Sequence, residues 1–308
     1  MLEFKHVPVM LSEVLTGLNI KKDGIYVDGT IGGAGHSKEI IKRLSKEGLL
    51  IGIDRDTEAL NAANENLKEF QNYKLVHGNH DEIRRILDDL NIDKVDGILM
   101  DLGVSSYQLD EKSRGFSYSQ DDKLDMRMDQ TQKLSAFEVV NFYHEKDLAN
   151  LIFAYGEERY SREIARNICN ARKEGPIRTT GDLVKIIEKS KPTSKDGHPA
   201  KRTFQAIRIE VNNELEVLKE ALEQAIDLIN VGGRIAVISF HSLEDREVKR
   251  AFQEAEGKSN IPPELSYGLN QVEKLGTIIT KKPIEASEEE QKNNSRSLSA
   301  KLRVFERE

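Results

Sequence analysis

The first hundred residues alternate short apolar runs with amphipathic stretches, and this alternation constrains the fold more than any other feature of the chain. The apolar runs have little polar interruption, which is typical of parallel strands buried on both faces of a sheet. Because parallel neighbours require right-handed helical crossovers, the pattern predicts an α/β fold with a doubly wound, open sheet. The predicted strands cover 25–30, 49–54, 74–77 and 95–102, and the predicted helices between them cover 36–44, 56–70 and 81–90.

The alternation stops after Asp101 and resumes near residue 211. No stretch between them predicts a strand. The sequence therefore predicts one domain formed by 1–108 and 209–308, interrupted by an all-helical insert at 109–208. The last two predicted strands form a terminal hairpin-like pair, for which Lys281, Lys301 and Arg303 favour an edge position. The polar stretch 285–296 is expected to be a loop. Helices are predicted at 136–142, 145–153, 161–172, 180–190, 211–230 and 243–252, and further strands at 234–240, 277–283 and 299–305.

Composition excludes several classes of protein. The chain has 38% hydrophobic and 32% charged residues with 7 Pro and 21 Gly, which is typical of a globular protein and not of a disordered or fibrous one. No stretch approaches the roughly 18 apolar residues of a membrane span, and the N-terminal residues lack the pattern of a signal peptide. A lone Cys169 excludes an internal disulfide and a cysteine-based zinc site. We therefore expect a cytoplasmic protein without a membrane partner.

Charge is distributed unevenly along the chain, whose net charge is −7. Residues 159–208 hold thirteen Lys and Arg against five Asp and Glu, a net charge of +8, so the rest of the chain carries −15. A basic segment in an acidic protein suits a local contact with phosphate groups and limits non-specific binding elsewhere. An ordinary solvated helical surface would give the same pattern, so the charges alone leave both interpretations open.

A glycine-rich loop follows the first predicted strand, with the sequence DGTIGGAGH at 28–36. Glycines allow backbone N–H groups to approach a ligand closely. The spacing differs from the dinucleotide fingerprint, since Ile31 or Lys38 falls where that motif requires glycine, and the Gly-Lys-Ser/Thr end of a nucleoside-triphosphate loop is absent. An acidic residue followed by a loose glycine loop suits S-adenosylmethionine, which has no pyrophosphate. A tight turn without a ligand is the alternative.

Polar residues also follow the next three predicted strands. Asp54 ends the second strand, where a carboxylate faces the ribose hydroxyls in doubly wound sheets; a helix N-cap is the alternative, and Asp56 competes for that role. His80 follows the third strand, where adenine would lie, and a surface histidine is the alternative. Asp101 ends the fourth strand, where its carboxylate would bind the cofactor or accept N–H hydrogen bonds from an exocyclic amine that receives a methyl group. A capping aspartate is the alternative there.

Together these residues resemble the ribosomal RNA small-subunit methyltransferase H family, cytosine-N4 enzymes that act on small-subunit (16S) ribosomal RNA. The most family-specific run is RTFQAIRIEVNN at 202–213. So many separate matches in the same order leave little room for coincidence. The other matching segments are 6–11 (HVPVML), 26–37, 52–56, 96–106, 108–110 (QLD), 114–117 (RGFS), 124–129 (LDMRMD), 240–246 (FHSLEDR) and 299–307 (SAKLRVFER).

The resemblance implies a Rossmann-like, seven-stranded class I methyltransferase domain with a helical insert that recognises RNA. It implies S-adenosylmethionine as cofactor, no metal, and methyl transfer to N4 of one cytidine near the decoding centre, in ribosomal RNA or in the small ribosomal subunit. Asp101 is also the candidate catalytic residue. The implied cofactor-binding residues are Ala34, Gly35, His36, Asp54, Asp101 and Gln108, with His80 lining the same pocket at a position where relatives can have Phe.

One departure concerns the base-stacking aromatic. Amine methylases with an Asp-Pro-Pro-Tyr motif carry that ring beside their aspartate, whereas this chain continues from Asp101 with Leu102-Gly103-Val104. Tyr107 and Phe116 are the candidates to supply it. A methyltransferase for a protein or small molecule, and a non-catalytic RNA-binding module with a vestigial pocket, are the alternatives. The sequence leaves both a monomer and a homodimer open.

Overall fold

The computed structural model of the chain describes residues 8–104, 114–192, 197–258 and 273–308. Two compact units are present, the first formed by Met1–Gly103 with Leu215–Glu308 and the second by Val104–Glu214. The second unit begins five residues before the predicted insert and ends six residues after it. Within the described ranges, no helix has the length and apolar character that crossing a membrane requires.

Strands of the first unit form one sheet with the order β3-β2-β1-β4-β5-β8-β6. β1 to β5 run parallel, and β8 is antiparallel to both of its neighbours. The predicted seven-stranded, Rossmann-like sheet is confirmed, and β7 is an additional short strand paired with β8. The strands are β1 (Ile25–Asp28), β2 (Leu49–Asp54), β3 (Tyr73–His77), β4 (Val95–Asp101), β5 (Ile229–Ser239), β6 (Gly276–Ile278), β7 (Ile284–Glu285) and β8 (Lys301–Arg307).

The predicted terminal pair is confirmed, since β6 and β8 pair antiparallel at one end of the sheet. The edge position is correct for β6 and wrong for β8, which lies between β5 and β6. A charged residue is tolerated there because Arg303 donates two hydrogen bonds to the carboxylate of Asp245, at 2.7 and 3.1 Å. Its neighbours Leu302 and Val304 are buried, as an internal strand requires. The alternation of charged and apolar residues therefore reflects a paired buried arginine and not an exposed edge.

Most helices of the described residues follow the predicted positions, with three differences. Leu11–Leu18 and Lys201–Asn212 are helices that the predicted set omits. The predicted loop at 285–296 contains a helix capped by Ser287, whose hydroxyl accepts from the Glu290 N–H at 3.2 Å. Three glutamates in its first turn favour the helix. The helices are α1 (Leu11–Leu18), α2 (Gly35–Ile41), α3 (Thr57–Leu67), α4 (Ile83–Asp89), α5 (Ala136–Phe142), α6 (Glu145–Gly156), α7 (Ser161–Glu174), α8 (Thr180–Ser190), α9 (Lys201–Asn212), α10 (Glu214–Leu228), α11 (Ser242–Ala255) and α12 (Glu288–Asn293).

The sheet is buried on both faces, as its apolar strands require. Ile98 and Met100 of β4 join a cluster with residues of α4, α10 and α11 on one face. Leu99 points the other way and joins a cluster with residues of α1, α2 and α3. Strand residues alternate between the two faces, so a strand with helices on both sides is hydrophobic throughout.

The second unit has its own hydrophobic core, built from the inward faces of α5 to α9. Ser135 starts α5 with a capping box. The Ser135 hydroxyl accepts a hydrogen bond from a backbone N–H in the first turn of α5, and the Glu138 side chain accepts one from the Ser135 N–H. Among the described residues of this unit the only β-contact is the bridge between Lys123 and Thr179. The unit is therefore helical, as the sequence predicts.

Candidate cofactor and active site

The glycine-rich loop between β1 and α2 is fixed to the strands on either side of β1. The Gly29 N–H donates to the Leu99 carbonyl of β4 at 2.9 Å, and the Ile31 N–H donates to the Ile53 carbonyl of β2 at 3.0 Å. Gly32 adopts φ of 48°, in the left-handed region that favours glycine. These bonds hold the loop at the carboxyl edge of the sheet, where the strand order changes direction and ligands of such folds bind.

Small residues are needed for this loop to pack. A Cβ at Gly52 would lie 2.1 Å from Cδ1 of Ile31, and a Cβ at Gly35 would lie 2.7 Å from Cγ of Pro8. Ala34 is held at φ of 63°, a left-handed conformation that costs an L-residue about 1 kcal/mol. Its N–H donates to the Ile31 carbonyl at 2.7 Å, which keeps the strained turn closed. Strain of this kind is concentrated at ligand-binding loops.

Asp54 at the end of β2 connects the loop to the next helix. Its Oδ2 accepts from the Gly32 N–H at 2.9 Å, and its Oδ1 accepts from the Asp56 N–H at 2.9 Å. The alternative N-cap role for Asp54 is wrong, because the cap of α3 is Asp56, which accepts from the Glu58 N–H. A carboxylate has about four acceptor positions, so roughly two remain on Asp54 for a ligand. Burial raises its pKa to about 6 despite these two hydrogen bonds.

Asp101 at the end of β4 faces the side chain of His36, with 3.6 Å between Asp101 Oδ2 and His36 Nδ1. The other ring nitrogen, Nε2, lies 2.8 Å from the Val9 carbonyl oxygen. A carbonyl only accepts, so Nε2 donates a hydrogen to it. The separation between Nδ1 and the Asp101 carboxylate is longer than a hydrogen bond. Burial, together with the charges of Asp28 and Glu244, raises the pKa of Asp101 to about 6, while His36 lowers it.

The other carboxylate oxygen of Asp101 is an orphaned acceptor. Oδ1 is buried and has no hydrogen-bond partner among the residues that the structure describes. The alternative capping role is not seen within those residues, since the Asp101 carboxylate accepts no backbone N–H there. A buried acceptor without a donor costs free energy, and its retention at a ligand-binding edge points to a donor supplied by a ligand.

A buried network ties the first strand to Asp101. Asp28 at the end of β1 accepts from the Ser37 hydroxyl at 2.7 Å and from the Thr30 N–H at 3.2 Å. The Thr30 hydroxyl in turn accepts from the Asp101 N–H at 2.6 Å. Burial raises the pKa of Asp28, which the Ser37 hydrogen bond only partly offsets. Thr30 was not identified from the sequence as a residue that holds Asp101 in place. Its position within the glycine-rich loop was the one signal that could have pointed to it.

His80 starts the short 3-10 turn His80–Glu82 after β3, and it is buried, so the surface-histidine alternative is wrong. A Cβ at Gly29 would lie 3.1 Å from the Cβ of His80, which places this residue beside the glycine loop. Burial and the charge of Arg55 lower its pKa to about 3, so the ring is neutral at ordinary pH. Its Nε2 is buried without a partner among the described residues.

Glu244 is a further acid near this edge that the sequence did not single out for the site. It is the third residue of α11, and its Oε2 accepts from the Phe240 N–H at 2.7 Å. His241 is the N-cap of α11, since its Nδ1 accepts from the Glu244 N–H at 3.3 Å. The negative charge of Glu244 raises the pKa values of both Asp101 and His80.

The structure brings most of the predicted site residues together. Ala34, Gly35, His36, Asp54, His80 and Asp101 all lie in the first unit, around the carboxyl ends of β1 to β4. Gln108 and the candidate aromatic Tyr107 lie outside the described residues. The other candidate aromatic, Phe116, is buried in the core of the second unit.

The basic segment of the second unit contains two kinds of residue. Three of its charges have structural roles: Arg172 donates to the Val140 and Tyr143 carbonyls, Lys191 forms a nearly buried ion pair with Glu158, and Arg208 forms two hydrogen bonds with Glu214. Lys195 lies outside the described residues. The exposed members are Arg159, Arg162, Arg166, Lys173, Arg178, Lys185, Lys189, Lys201 and Arg202.

A sequence model of the MraW methylase family matches residues 3–308. The chain belongs to the MraW methylase family. The family resemblance inferred from the motifs is thereby confirmed, and so is the prediction of a methyltransferase. A relative from Clostridium botulinum, named ribosomal RNA small subunit methyltransferase H, is 57% identical over 305 residues, which cover 98% of this chain and 99% of the relative.

Similar proteins extend beyond that relative. A protein of the same name from Lachnospira eligens is 52% identical over 310 residues, which cover 99% of this chain and 98% of the relative. An rRNA methylase structure from Streptococcus thermophilus has 12% identity and a TM-score of 0.41, with 96% of this chain and 91% of that chain covered. A TM-score this low does not support a fold assignment. The assignment therefore rests on the strand order of the sheet in this methylase.

Proposed function

We propose that this methylase transfers a methyl group from S-adenosylmethionine to N4 of one cytidine in small-subunit (16S) ribosomal RNA near the decoding centre. The observation that carries the proposal is the 57% identity, over 98% of the chain, to an enzyme named ribosomal RNA small subunit methyltransferase H. The buried carboxylates at the sheet edge supply the chemistry. A ribosomal RNA acceptor also agrees with the expected cytoplasmic location.

The residues at the carboxyl edge fit S-adenosylmethionine. Two buried polar atoms there, Nε2 of His80 and Oδ1 of Asp101, have no partner within the described part of the chain. The carboxylate of Asp54 keeps acceptor positions for ribose hydroxyls, and the strained turn at Ala34 and Gly35 exposes no side chain large enough to block a close approach. Gln108 is included as a further contact to S-adenosylmethionine on the basis of the family resemblance alone.

When bound, S-adenosylmethionine supplies a methyl group that its sulfonium centre already activates, so the chain's own residues act mainly by binding and positioning. Asp54 would accept hydrogen bonds from the ribose hydroxyls, and the neutral ring of His80 would pack beside the adenine. Ala34, Gly35 and His36 would line the amino-acid end of the cofactor with loop backbone.

Asp101 acts on the acceptor amine. The lone pair of cytosine N4 is conjugated with the ring, which makes the nitrogen a weak nucleophile. A hydrogen bond from N4–H to the orphaned Oδ1 draws electron density onto the nitrogen, and the carboxylate takes the proton that N4 releases as the new N–C bond forms and the C–S bond breaks. Because the pKa of Asp101 is about 6, the carboxylate is ionised at neutral pH and still accepts a proton.

The helical second unit recognises the RNA in this proposal. Its exposed lysines and arginines suit phosphate contacts, which dominate the affinity of proteins for nucleic acid and make it depend on salt. The acidic remainder of the chain limits binding to unrelated RNA. The acceptor is ribosomal RNA, either free or in the small subunit.

The proposal is tested by incubating the protein with cofactor labelled on its methyl group and with three acceptors: isolated small-subunit RNA, intact small subunits and a mixture of ribosomal proteins. We expect label in RNA, on a single cytidine, with nuclease digestion and mass spectrometry placing the methyl on the exocyclic nitrogen. Label in protein only, or on a ring carbon or a ribose, would overturn the assignment. Binding of the cofactor without any transfer would favour a non-catalytic module.

A further inference from the structure

The turn between α6 and α7 presents an exposed aromatic ring between two exposed arginines. Tyr160 is 43% exposed, and its neighbours Arg159 and Arg162 are exposed as well. A tyrosine ring is apolar with a polar tip, so an exposed ring flanked by cations is suited to an interface. All of these residues belong to the second unit.

A buried ion pair fixes the shape of this turn. Glu158 is 3% exposed; its Oε2 pairs with Lys191, and its Oε1 accepts from the Tyr160 N–H at 3.0 Å. Glu157, in the left-handed region at φ of 49°, ends α6, and the Ile164 N–H of α7 donates to the Tyr160 carbonyl at 2.9 Å. The backbone that carries Tyr160 is therefore rigid, so that little conformational entropy would be lost when a partner binds.

The first turn of α9 adds two more cations to the same place. The guanidinium of Arg202 donates to the Glu157 carbonyl at 2.8 Å. Close approach of the two helices is possible because residue 156 is glycine; a Cβ at Gly156 would lie 2.5 Å from the Arg202 carbonyl oxygen. Lys201 is adjacent and exposed. We call Arg159, Tyr160, Arg162, Lys201 and Arg202 the α6–α7 turn surface.

Most of the positive charge on this surface is available to a ligand. Arg159, Arg162 and Lys201 form no ion pair with any residue that the structure describes. By contrast, Arg166 on the same helix α7 is paired with Glu163, and Lys185 on α8 lies 3.9 Å from Asp182. The exposed acid nearest in sequence is Glu157, so the surface keeps a net positive charge.

We propose that the α6–α7 turn surface binds an unpaired nucleotide of the RNA substrate, with the base stacked on Tyr160 and the neighbouring phosphates held by the four cations. The inference rests on the proposed function, since it takes the acceptor to be RNA. An aromatic ring stacks on any base whose face is free, whereas a duplex covers the faces of its bases. An exposed ring among cations thus fits a single-stranded segment and not a helix.

The test compares the binding of a short unstructured RNA with that of a blunt RNA duplex of the same length, by fluorescence anisotropy with the full chain. For Tyr160→Ala we expect roughly a tenfold loss of affinity for the single strand and little change for the duplex, because one base stack is lost. Tyr160→Phe keeps the ring and should bind as wild type. Phe142→Ala is the matched control, since Phe142 of the same unit is 68% exposed and lies outside this surface.

Replacing Arg159 and Arg162 together with Gln should lower the salt dependence of single-strand binding by about two counterions, because two phosphate contacts are lost. Wild-type single-strand affinity in Tyr160→Ala, or equal losses for single strand and duplex, would overturn the stacking site. A loss confined to intact small subunits would overturn it too, since it would mean that the partner is a protein. Transfer of label to ribosomal RNA by the wild type, measured on the same preparation, tests the proposed function separately.

Discussion

The two units of this methylase handle polar groups in opposite ways. In the first unit the Asp28 carboxylate is buried and those of Asp54 and Asp101 are partly buried at the end of the sheet, and burial raises the pKa of each. In the second unit the basic segment presents exposed cations, such as Arg159 and Arg162. The first unit therefore holds a few carboxylate atoms in fixed positions, and the second unit distributes positive charge over its surface.

The difference matches what each kind of ligand requires. A small cofactor is bound through a few atoms held at set distances, so its site gains from groups that backbone hydrogen bonds hold in place. RNA is bound first through many phosphates, and exposed cations serve that purpose without exact positions. Within the second unit the same contrast recurs. Arg172, Lys191 and Arg208 are bonded to groups of their own unit, whereas Arg159, Arg162 and Lys201 are exposed and form no ion pair with the residues that the structure describes.

The largest expected effect is on turnover at the buried edge. Asp101→Asn removes the proton acceptor but keeps the size of the side chain, so we expect kcat to fall by roughly 10² to 10⁴, with the affinity for S-adenosylmethionine changed far less. Single-turnover transfer of labelled methyl measures the rate. Asp96→Asn is the matched control, because Asp96 lies at the other end of β4 and contacts Lys21 and the Ile25 N–H. A kcat within a factor of about three of wild type would remove Asp101 from catalysis.

The next largest effect distinguishes the structural residues of the basic segment from those proposed to bind RNA. Lys191→Ala leaves the Glu158 carboxylate buried without its partner, so we expect the free energy of unfolding to fall by about 3 kcal/mol. Lys189→Ala, two residues away and exposed, should leave stability unchanged and weaken RNA binding slightly at low salt. Denaturant unfolding and salt-dependent RNA binding measure the two properties. Equal stabilities would show that the ion pair is not structural.

A smaller effect is expected on cofactor affinity. Asp54→Asn replaces a charged acceptor with a neutral amide, so we expect the Kd for S-adenosylmethionine to rise by roughly ten- to a hundredfold, because hydrogen bonds to a charged group are lost. Isothermal titration measures it. Asp56→Asn keeps the N-cap of α3 and should bind as wild type. If the two variants bound the cofactor equally well, Asp54 would have no special place in the pocket.

The smallest expected effect is the dependence of kcat on pH. In the proposed mechanism methyl transfer requires the ionised form of Asp101, so kcat should rise with pH by roughly tenfold per unit below a midpoint of about 6 and level off above it. The groups that set this midpoint are His36, which lowers the pKa, and Asp28 and Glu244, which raise it. Removing the imidazole in His36→Asn should therefore move the midpoint upward. A flat profile from pH 5 to 8 would contradict a role for this carboxylate as the proton acceptor.

Local sequence patterns predicted the parts of the fold that local physics determines. The strand-helix alternation predicted β1 to β5, because buried parallel strands are hydrophobic throughout. The position of β8 could not be predicted, since the pairing of Arg303 with Asp245 joins residues far apart in the chain and is invisible to periodicity. The helix at Glu288–Asn293 was taken for a loop because it has no apolar face, and its capping serine and acidic first turn were the only signals.

The candidate site shows the same limit. Asp54, His80 and Asp101 were found because each follows a strand, and the carboxyl ends of parallel strands meet at one edge. The hydrogen bond from the Asp101 N–H to Thr30, and the approach of Glu244 from α11, depend on tertiary packing and had no counterpart in spacing. Burial of His80 was missed for the same reason, because its neighbour in space is Gly29 of another loop.

The most direct test of the proposed site is an experimental structure of the protein with S-adenosylhomocysteine bound. We expect both ribose hydroxyls to lie within hydrogen-bonding distance of the Asp54 carboxylate, the adenine to lie beside His80, and the sulfur to lie near Asp101. A ligand bound away from the carboxyl ends of β1, β2 and β4 would contradict it.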